Sequence, residues 1–290
     1  MICFYGISQI GSSHLSRNIV CQDAHCIKRA AFGWTVGAIA DGVGSSKHSD
    51  IASSIAVTTV TDFCCKRITA DTKISEIEDI LREAYLLAQE SIEERAETDG
   101  NSITEYDTTL SSVVYNGEQV VYAHSGDGGI VGLAVDGKYV KITNPQKAAD
   151  GICVIPLRAG KDFWEIGHCK EKFVSILMAT DGVYDNFFPY LLRGTETEVY
   201  VPLIRYFMDN AVIGISEEKM ADIQKEREDF LSSDACSIIT DDKTVAVLIN
   251  DEIVAEKQSE EYYAEPDWAA LQEEWNRKAY PQLYSKKGEN

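Results

Sequence analysis

The chain has 290 residues, 44% of them hydrophobic and 26% charged, enough apolar material to bury a core in one large domain or two small ones without disulfide or metal staples. Asp and Glu number 47 against 27 Lys and Arg, a formal net charge of −20; this opposes phosphate backbones and anionic membranes, so no nucleic acid and no membrane is expected among the partners. No apolar run approaches the roughly 18 residues of a membrane helix, and the start MICFYGISQIGSSHLSRN carries no basic leader before an apolar stretch, so the expected location is cytoplasmic.

Residues 1–45 read as strands and turns: ICFYGIS, AHCIKRA, then GWTVGAIA, which stops at Asp41-Gly42. Ser49 to about Thr69 is helix-compatible, with Ser49 a candidate N-cap. Between Ser75 and Arg95, Ile77, Leu81, Ala84, Ala88 and Ile92 fall three or four apart, and Ser75 with Glu78 has the spacing of a capping box. After ETDGNSITEYD come TTLSSVVYN, EQVVYAHSG, GIVGLAV and KYVKITN, joined by Gly-containing turns, the pattern of an antiparallel meander. DFWEIGHCK and KFVSILMAT add strands, 183–232 is helix-rich, and KTVAVLIN closes the set. Strands and helices do not alternate regularly, so the fold class is α+β.

A domain of residues 1–250 is therefore expected, followed by an acidic linker and a C-terminal amphipathic helix over 251–290. Trp268, Leu271 and Trp275 make that helix's apolar stripe, expected to pack back on the domain because short isolated helices are marginal in water. Cys3, Cys64, Cys65, Cys153 and Cys236 lie in apolar surroundings and read as small buried hydrophobes. Cys21, His25 and Cys26 lack a second ligand pair at zinc-finger spacing, so core packing is expected of them too.

Asp41-Gly42 and Asp181-Gly182 each follow an apolar strand, and Asp241-Asp242 precede one. Singly, such a pair is a strand ended by a turn. With Asp23 in CQDAH and Asp127 in HSGDGG, five short acidic residues sit beside turns, and Asp is the ligand that Mg²⁺ and Mn²⁺ prefer.

In this order, QDA (22–24), ADGVGSSKHSDIAS (40–53), TTL (108–110), HSGDGG (124–129), ATDGVYDN (179–186) and TDDKTVAVL (240–248) resemble the metal-dependent protein phosphatase family, the type 2C serine/threonine phosphatases, and in the GSSHLSRNIVCQDA opening its bacterial branch. The resemblance implies a four-layer α-β-β-α sandwich of two antiparallel sheets, with metals in a cleft at one end. It implies that Asp41 bridges two Mn²⁺ or Mg²⁺ ions, that Gly42 offers its carbonyl, that Asp181 and Asp241 complete the set, and that Asp23 lies beside the ions as a ligand or through water. Asp127 matches a position that, with Asp181, holds a third, weaker ion. A metal-bridging water then attacks phosphorus directly, with no protein nucleophile.

Many family members place a phosphate-holding arginine about five residues before the first aspartate; that position is Asn18, with Arg17 adjacent as the candidate and an uninvolved exposed arginine as the alternative. Gln22 stands where glutamate is common. Structural hydrogen bonds are expected of His14 and His124, caps of Asp185 and Asn186, and a supporting role of Asp242. The implied activity is hydrolysis of phosphoserine or phosphothreonine in proteins, opposing a serine/threonine kinase. The alternatives are a pseudophosphatase or phosphoprotein-binding regulatory module without turnover, and a hydrolase of small phosphorylated molecules.

Overall fold

A computed structural model of the chain describes residues 1–149, 151 and 153–284. The strand-type runs fold as β1 (Ile2–Gln9), β2 (Ala24–Arg29), β3 (Thr35–Ala40), β4 (Leu110–Tyr115), β5 (Val120–Ser125), β6 (Gly129–Ala134), β7 (Tyr139–Lys141), β8 (Glu165–His168), β9 (Phe173–Ala179) and β10 (Lys243–Asn250). They form two antiparallel five-stranded sheets, ordered β1-β10-β9-β6-β7 and β2-β3-β4-β5-β8. β3, β4, β6, β9 and β10 are buried along their whole length, because each sheet is covered on both faces. That is why their sequences are continuous apolar runs rather than alternating ones.

The helices are α1 (Ser12–Arg17), α2 (Ser49–Arg67), α3 (Ile74–Asp99), α4 (Asp181–Phe187), α5 (Val201–Met208), α6 (Asn210–Ile213), α7 (Met220–Ser232), α8 (Trp268–Ala279) and α9 (Pro281–Tyr284). One apolar cluster joins α2 and α3 to the second sheet through Val60, Leu81, Tyr85 and Val114. Another joins the later helices to the first sheet through Phe187, Phe207, Leu177 and Val247. A third, with Ile39, Val113, Ile176 and Leu248, fills the space between the sheets. The result is an α+β fold of four layers, helix-sheet-sheet-helix.

The expected single meander over 108–144 divides instead. β4 pairs with β5 in one sheet, while β6 pairs with β7 in the other. The chain changes sheets within Gly126-Asp127-Gly128. Gly126 has φ +132, and a Cβ there would lie 2.5 Å from Thr109 Cβ, so this corner demands glycine where a plain hairpin would not.

Two helix starts also differ from expectation. α2 is preceded by His48, not capped by Ser49, whose Oγ is buried without a partner. α3 begins at Ile74, and Glu76 rather than Glu78 reaches back, its carboxylate accepting the Lys73 N–H at 2.8 Å. Glu78, two residues further into the helix and beyond reach of its start, instead lies 2.6 Å from His168 on β8. Only Cys3, Cys64 and Cys236 are fully buried; Cys65 is partly exposed and Cys153 exposed, Cys153 lying in the long β7–β8 connection. Cys21, His25 and Cys26 point to different partners: the Asp23 carbonyl, Ser8 and Thr61.

After β10, the Glu256 N–H donates to the Val135 carbonyl at 2.8 Å, and Tyr262 stacks on Tyr139 with ring centroids 6.4 Å apart. Trp268 and Trp275 of α8 meet Tyr200 and Tyr190 edge-on at 5.3 and 5.7 Å. Among the described residues, no helix is long and apolar enough to cross a membrane.

Candidate active site

At one end of the sandwich the sheets open between the ends of β3 and β9, the start of β10 and the β5–β6 corner. Ala24 pairs with Ala40, so Asp23, just before β2, and Asp41, just after β3, emerge side by side. The backbone of Asp41 is clamped: its N–H donates to Thr109 Oγ1 at 2.9 Å, and its carbonyl accepts from Thr109 N at 2.8 Å and Thr108 Oγ1 at 2.9 Å. Gly42 donates to the Gln22 carbonyl at 3.1 Å. A Cβ at Gly42 would lie 2.7 Å from that carbonyl and 2.8 Å from Ser49, so only glycine lets the turn pass under the α2 N-terminus.

Asp181 is the first residue of α4, and Asp127 occupies the sheet-changing corner. One carboxylate oxygen from each of Asp41, Asp127 and Asp181 lies within 4.8 Å of the others. Asp241 lines the same cleft, about 330 Å³ in volume, with Gly42, Gln22 and Arg17, but stands outside that triplet. Asp23 is buried, its Oδ2 accepting the Thr180 hydroxyl at 2.8 Å. Asp185 and Asn186 do not cap α4, because the helix already starts at Asp181; Asp185 is exposed, and the Asn186 amide donates to the Gly182 carbonyl at 3.0 Å. A larger hollow of about 580 Å³ lies between β7 and the C-terminal segment, lined by Lys138, Lys141, Phe188 and Tyr262. Among the described residues it gathers no such cluster.

Burial and mutual repulsion act together on the acidic groups. Burial, then the charges of Asp23 and Asp181, hold the Asp41 carboxyl well above its ordinary range. Burial pushes Asp23 up to about 8 against the hydroxyls of Thr180 and Thr244, and Asp127 up to about 6 with Asp181 adding to the rise. Asp181 is raised as well, mainly by burial. Carboxylates so placed need a cation to remain charged together. Gln22 Oε1, buried without a partner at the same cleft, adds a neutral oxygen. This all-oxygen donor set fits a hard divalent cation such as Mg²⁺ or Mn²⁺.

The side facing the cluster is built on α1. Gly11, just before it, packs against the Thr240–Asp241 backbone, where a Cβ would come within 2.3 Å of Asp241 C. Asp242 Oδ1 accepts the Gly11 N–H at 2.7 Å and lies 2.9 Å from His14 Nδ1; Oδ2 accepts the Gln22 N–H at 2.6 Å. Arg17 is exposed at the cleft, and its guanidinium folds back on its own helix, donating to the Ser13 carbonyl and hydroxyl at 3.0 and 3.1 Å. Asn18 ends α1 in the left-handed region at φ 55. His124 is fully buried, 2.8 Å from Ser111, with its pKa lowered to about 4 by burial. Lys147 Nζ lies 3.8 Å from Asp127 Oδ2; a single lysine in a long connection carries no motif that marks it in the sequence.

Residues 10–223 match the family model described as Protein phosphatase 2C. The chain belongs to the protein phosphatase 2C family. No curated protein matches the sequence. Among solved structures, the S. agalactiae serine/threonine phosphatase is 18% identical, with TM-score 0.58, covering 86% of this chain and 99% of that one. Serine/threonine phosphatase Stp1 from Staphylococcus aureus is 16% identical, with TM-score 0.56, over 86% and 95%. The catalytic domain of the serine threonine protein phosphatase PstP, in complex with two manganese ions, is 15% identical, with TM-score 0.55, over 86% and 97%. At these identities the likeness is one of fold.

Proposed function

We propose that the chain is a cytoplasmic Mn²⁺- or Mg²⁺-dependent serine/threonine protein phosphatase, acting on phosphorylated proteins against a serine/threonine kinase, with residues 1–250 as the catalytic unit. The observation that carries this reading is the convergence of Asp41, Asp127 and Asp181 to within 4.8 Å at the open end of the sandwich. Asp41, the Gly42 carbonyl, Asp181 and Asp241 would hold two ions, with Asp23 beside them directly or through water and Asp127 serving a third, weaker position. Bound there, such ions supply charge neutralisation for the phosphoryl group and a water of lowered pKa for direct attack on phosphorus.

The protein's own part is positioning. Thr108 and Thr109 fix the Asp41 backbone at the floor of the cleft. Asp242 ties α1 and the Gln22 strand end to the start of β10, holding both walls of the cleft at a set distance. Arg17 stands where a phosphate approaches, and releasing its contacts with Ser13 would free its fork for two phosphate oxygens. Asp23, buried beside Asp41 and held by the Thr180 hydroxyl at 2.8 Å, would orient a metal-bound water rather than the substrate.

One observation favours a second reading, a phosphoprotein-binding module without turnover: Asn18 occupies the expected arginine position and Arg17 is engaged by Ser13. Purified protein with p-nitrophenyl phosphate and a phosphoserine peptide, each with Mn²⁺ and with EDTA, separates the two. EDTA-sensitive turnover of both supports the enzyme; peptide binding without turnover supports the module.

A further inference from the structure

The β7–β8 connection hangs on the corner that carries Asp127. The Gln146 N–H donates to the Gly126 carbonyl at 2.7 Å, Ala148 N to the Cys153 carbonyl at 2.8 Å, and Leu157 N to the Thr108 carbonyl at 2.8 Å. Lys147 and Val154 pair as an antiparallel bridge, and Val154 lines the cleft. This places the Lys147 ammonium 3.8 Å from Asp127 Oδ2, with side-chain exposures of 40% and 10%. The contact is therefore charge against a nearly buried carboxylate, made by a side chain with room to leave.

We propose that Lys147 is a tethered cation that holds the Asp127 side of the carboxylate cluster, so that divalent ions fill the Asp41 and Asp181 side and reach Asp127 only when Lys147 moves away. This rests on reading the cluster as a divalent-cation site, for which buried, unpartnered Gln22 Oε1 at the same cleft is independent support. An ammonium neutralises one carboxylate without taking up ligand positions around an ion, whereas a divalent ion at Asp127 would draw on Asp181 as well. Burial and Asp181 push the Asp127 carboxyl up, and Lys147 is the neighbouring side chain that pulls it down.

The test is calorimetric titration of Mn²⁺ into the metal-stripped full chain. Wild type should bind two ions, Lys147→Met a further ion or its weakest ion about tenfold more tightly, and Lys147→Arg the same as wild type. Circular dichroism verifies that the variants fold, as a residue this exposed allows. Identical stoichiometry and affinity in wild type and Lys147→Met would overturn the role of Lys147 while leaving the metal reading intact. No Mn²⁺ binding by any of the three proteins would overturn the metal reading, and this inference with it.

Discussion

Asp242 Oδ2 accepts the backbone N–H of Gln22 at 2.6 Å, joining the start of the last strand to the residue before the first site aspartate, 220 positions away. With Gly11 held at 2.7 Å and His14 Nδ1 lying 2.9 Å away, one buried carboxylate ties the α1 segment and the Gln22 segment to the start of the last strand. Asp242→Ala leaves two buried N–H groups unpaired, at about 1–3 kcal/mol each. Denaturant unfolding in EDTA is expected to show a loss of about 2–4 kcal/mol, together with weaker Mn²⁺ binding; unchanged stability would mean that these bonds are replaced by water.

Gly42→Ala tests the close approach at the cleft floor. A methyl 2.7 Å from the Gln22 carbonyl and 2.8 Å from Ser49 must move the turn or the α2 N-terminus, and overpacking of this kind costs about 1–3 kcal/mol. Displacing Asp41 even slightly should also reduce kcat more than KM is altered. Wild-type kcat with lowered stability would separate the packing role from the catalytic one.

The acidic cluster gives the metal-free protein a distinctive pH response. Asp23 and Asp127 start from 3.8 in the unfolded chain and rise to about 8 and about 6 in the fold. The folded state therefore holds protons that the unfolded state has released, and stability from these groups falls as pH rises from 3.8 toward those values. Melting temperature in EDTA should fall between about pH 5 and about pH 8, and saturating Mn²⁺ should flatten or reverse the trend, because ligands bind metal deprotonated. A rise with pH in EDTA would contradict the clustering.

For the C-terminal segment, Trp268→Ala removes the edge contact with Tyr200 at 5.3 Å and the indole hydrogen bond to Glu265 at 2.7 Å. The expected loss is about 1 kcal/mol, read by thermal unfolding, with metal-dependent activity unchanged because α8 packs away from the carboxylates. A loss of activity at full stability would instead tie this helix to the cleft.

Most strands were legible because they carry an apolar run bounded by turn residues, and the ones buried along their whole length, such as TVGAIA and KTVAVLIN, show it most plainly. The α+β class followed from their order. The switch between sheets at Gly126 was not legible, since Gly-Asp-Gly reads equally as a hairpin turn; only the clash with Thr109 distinguishes a corner. Cap positions slipped because each helix starts earlier than its cap-type residue suggests, α2 at Ser49 and α3 at Ile74. The candidate aspartates were found from short motifs, and the structure gathers Asp41, Asp127 and Asp181 tightly, with Asp241 on the same cleft. Lys147 was invisible because its meaning lies wholly in a contact across 20 residues of chain.

The central claim is that hydrolysis depends on divalent ions gathered at Asp41. It is tested most directly by initial rates on a phosphoserine peptide as Mn²⁺ is titrated into metal-stripped wild type and Asp41→Asn. Wild type should rise from no turnover to saturation, and Asp41→Asn should stay at least about a hundredfold lower at every Mn²⁺ concentration while remaining folded. Metal-independent turnover, or an Asp41→Asn curve that matches wild type, would contradict the account.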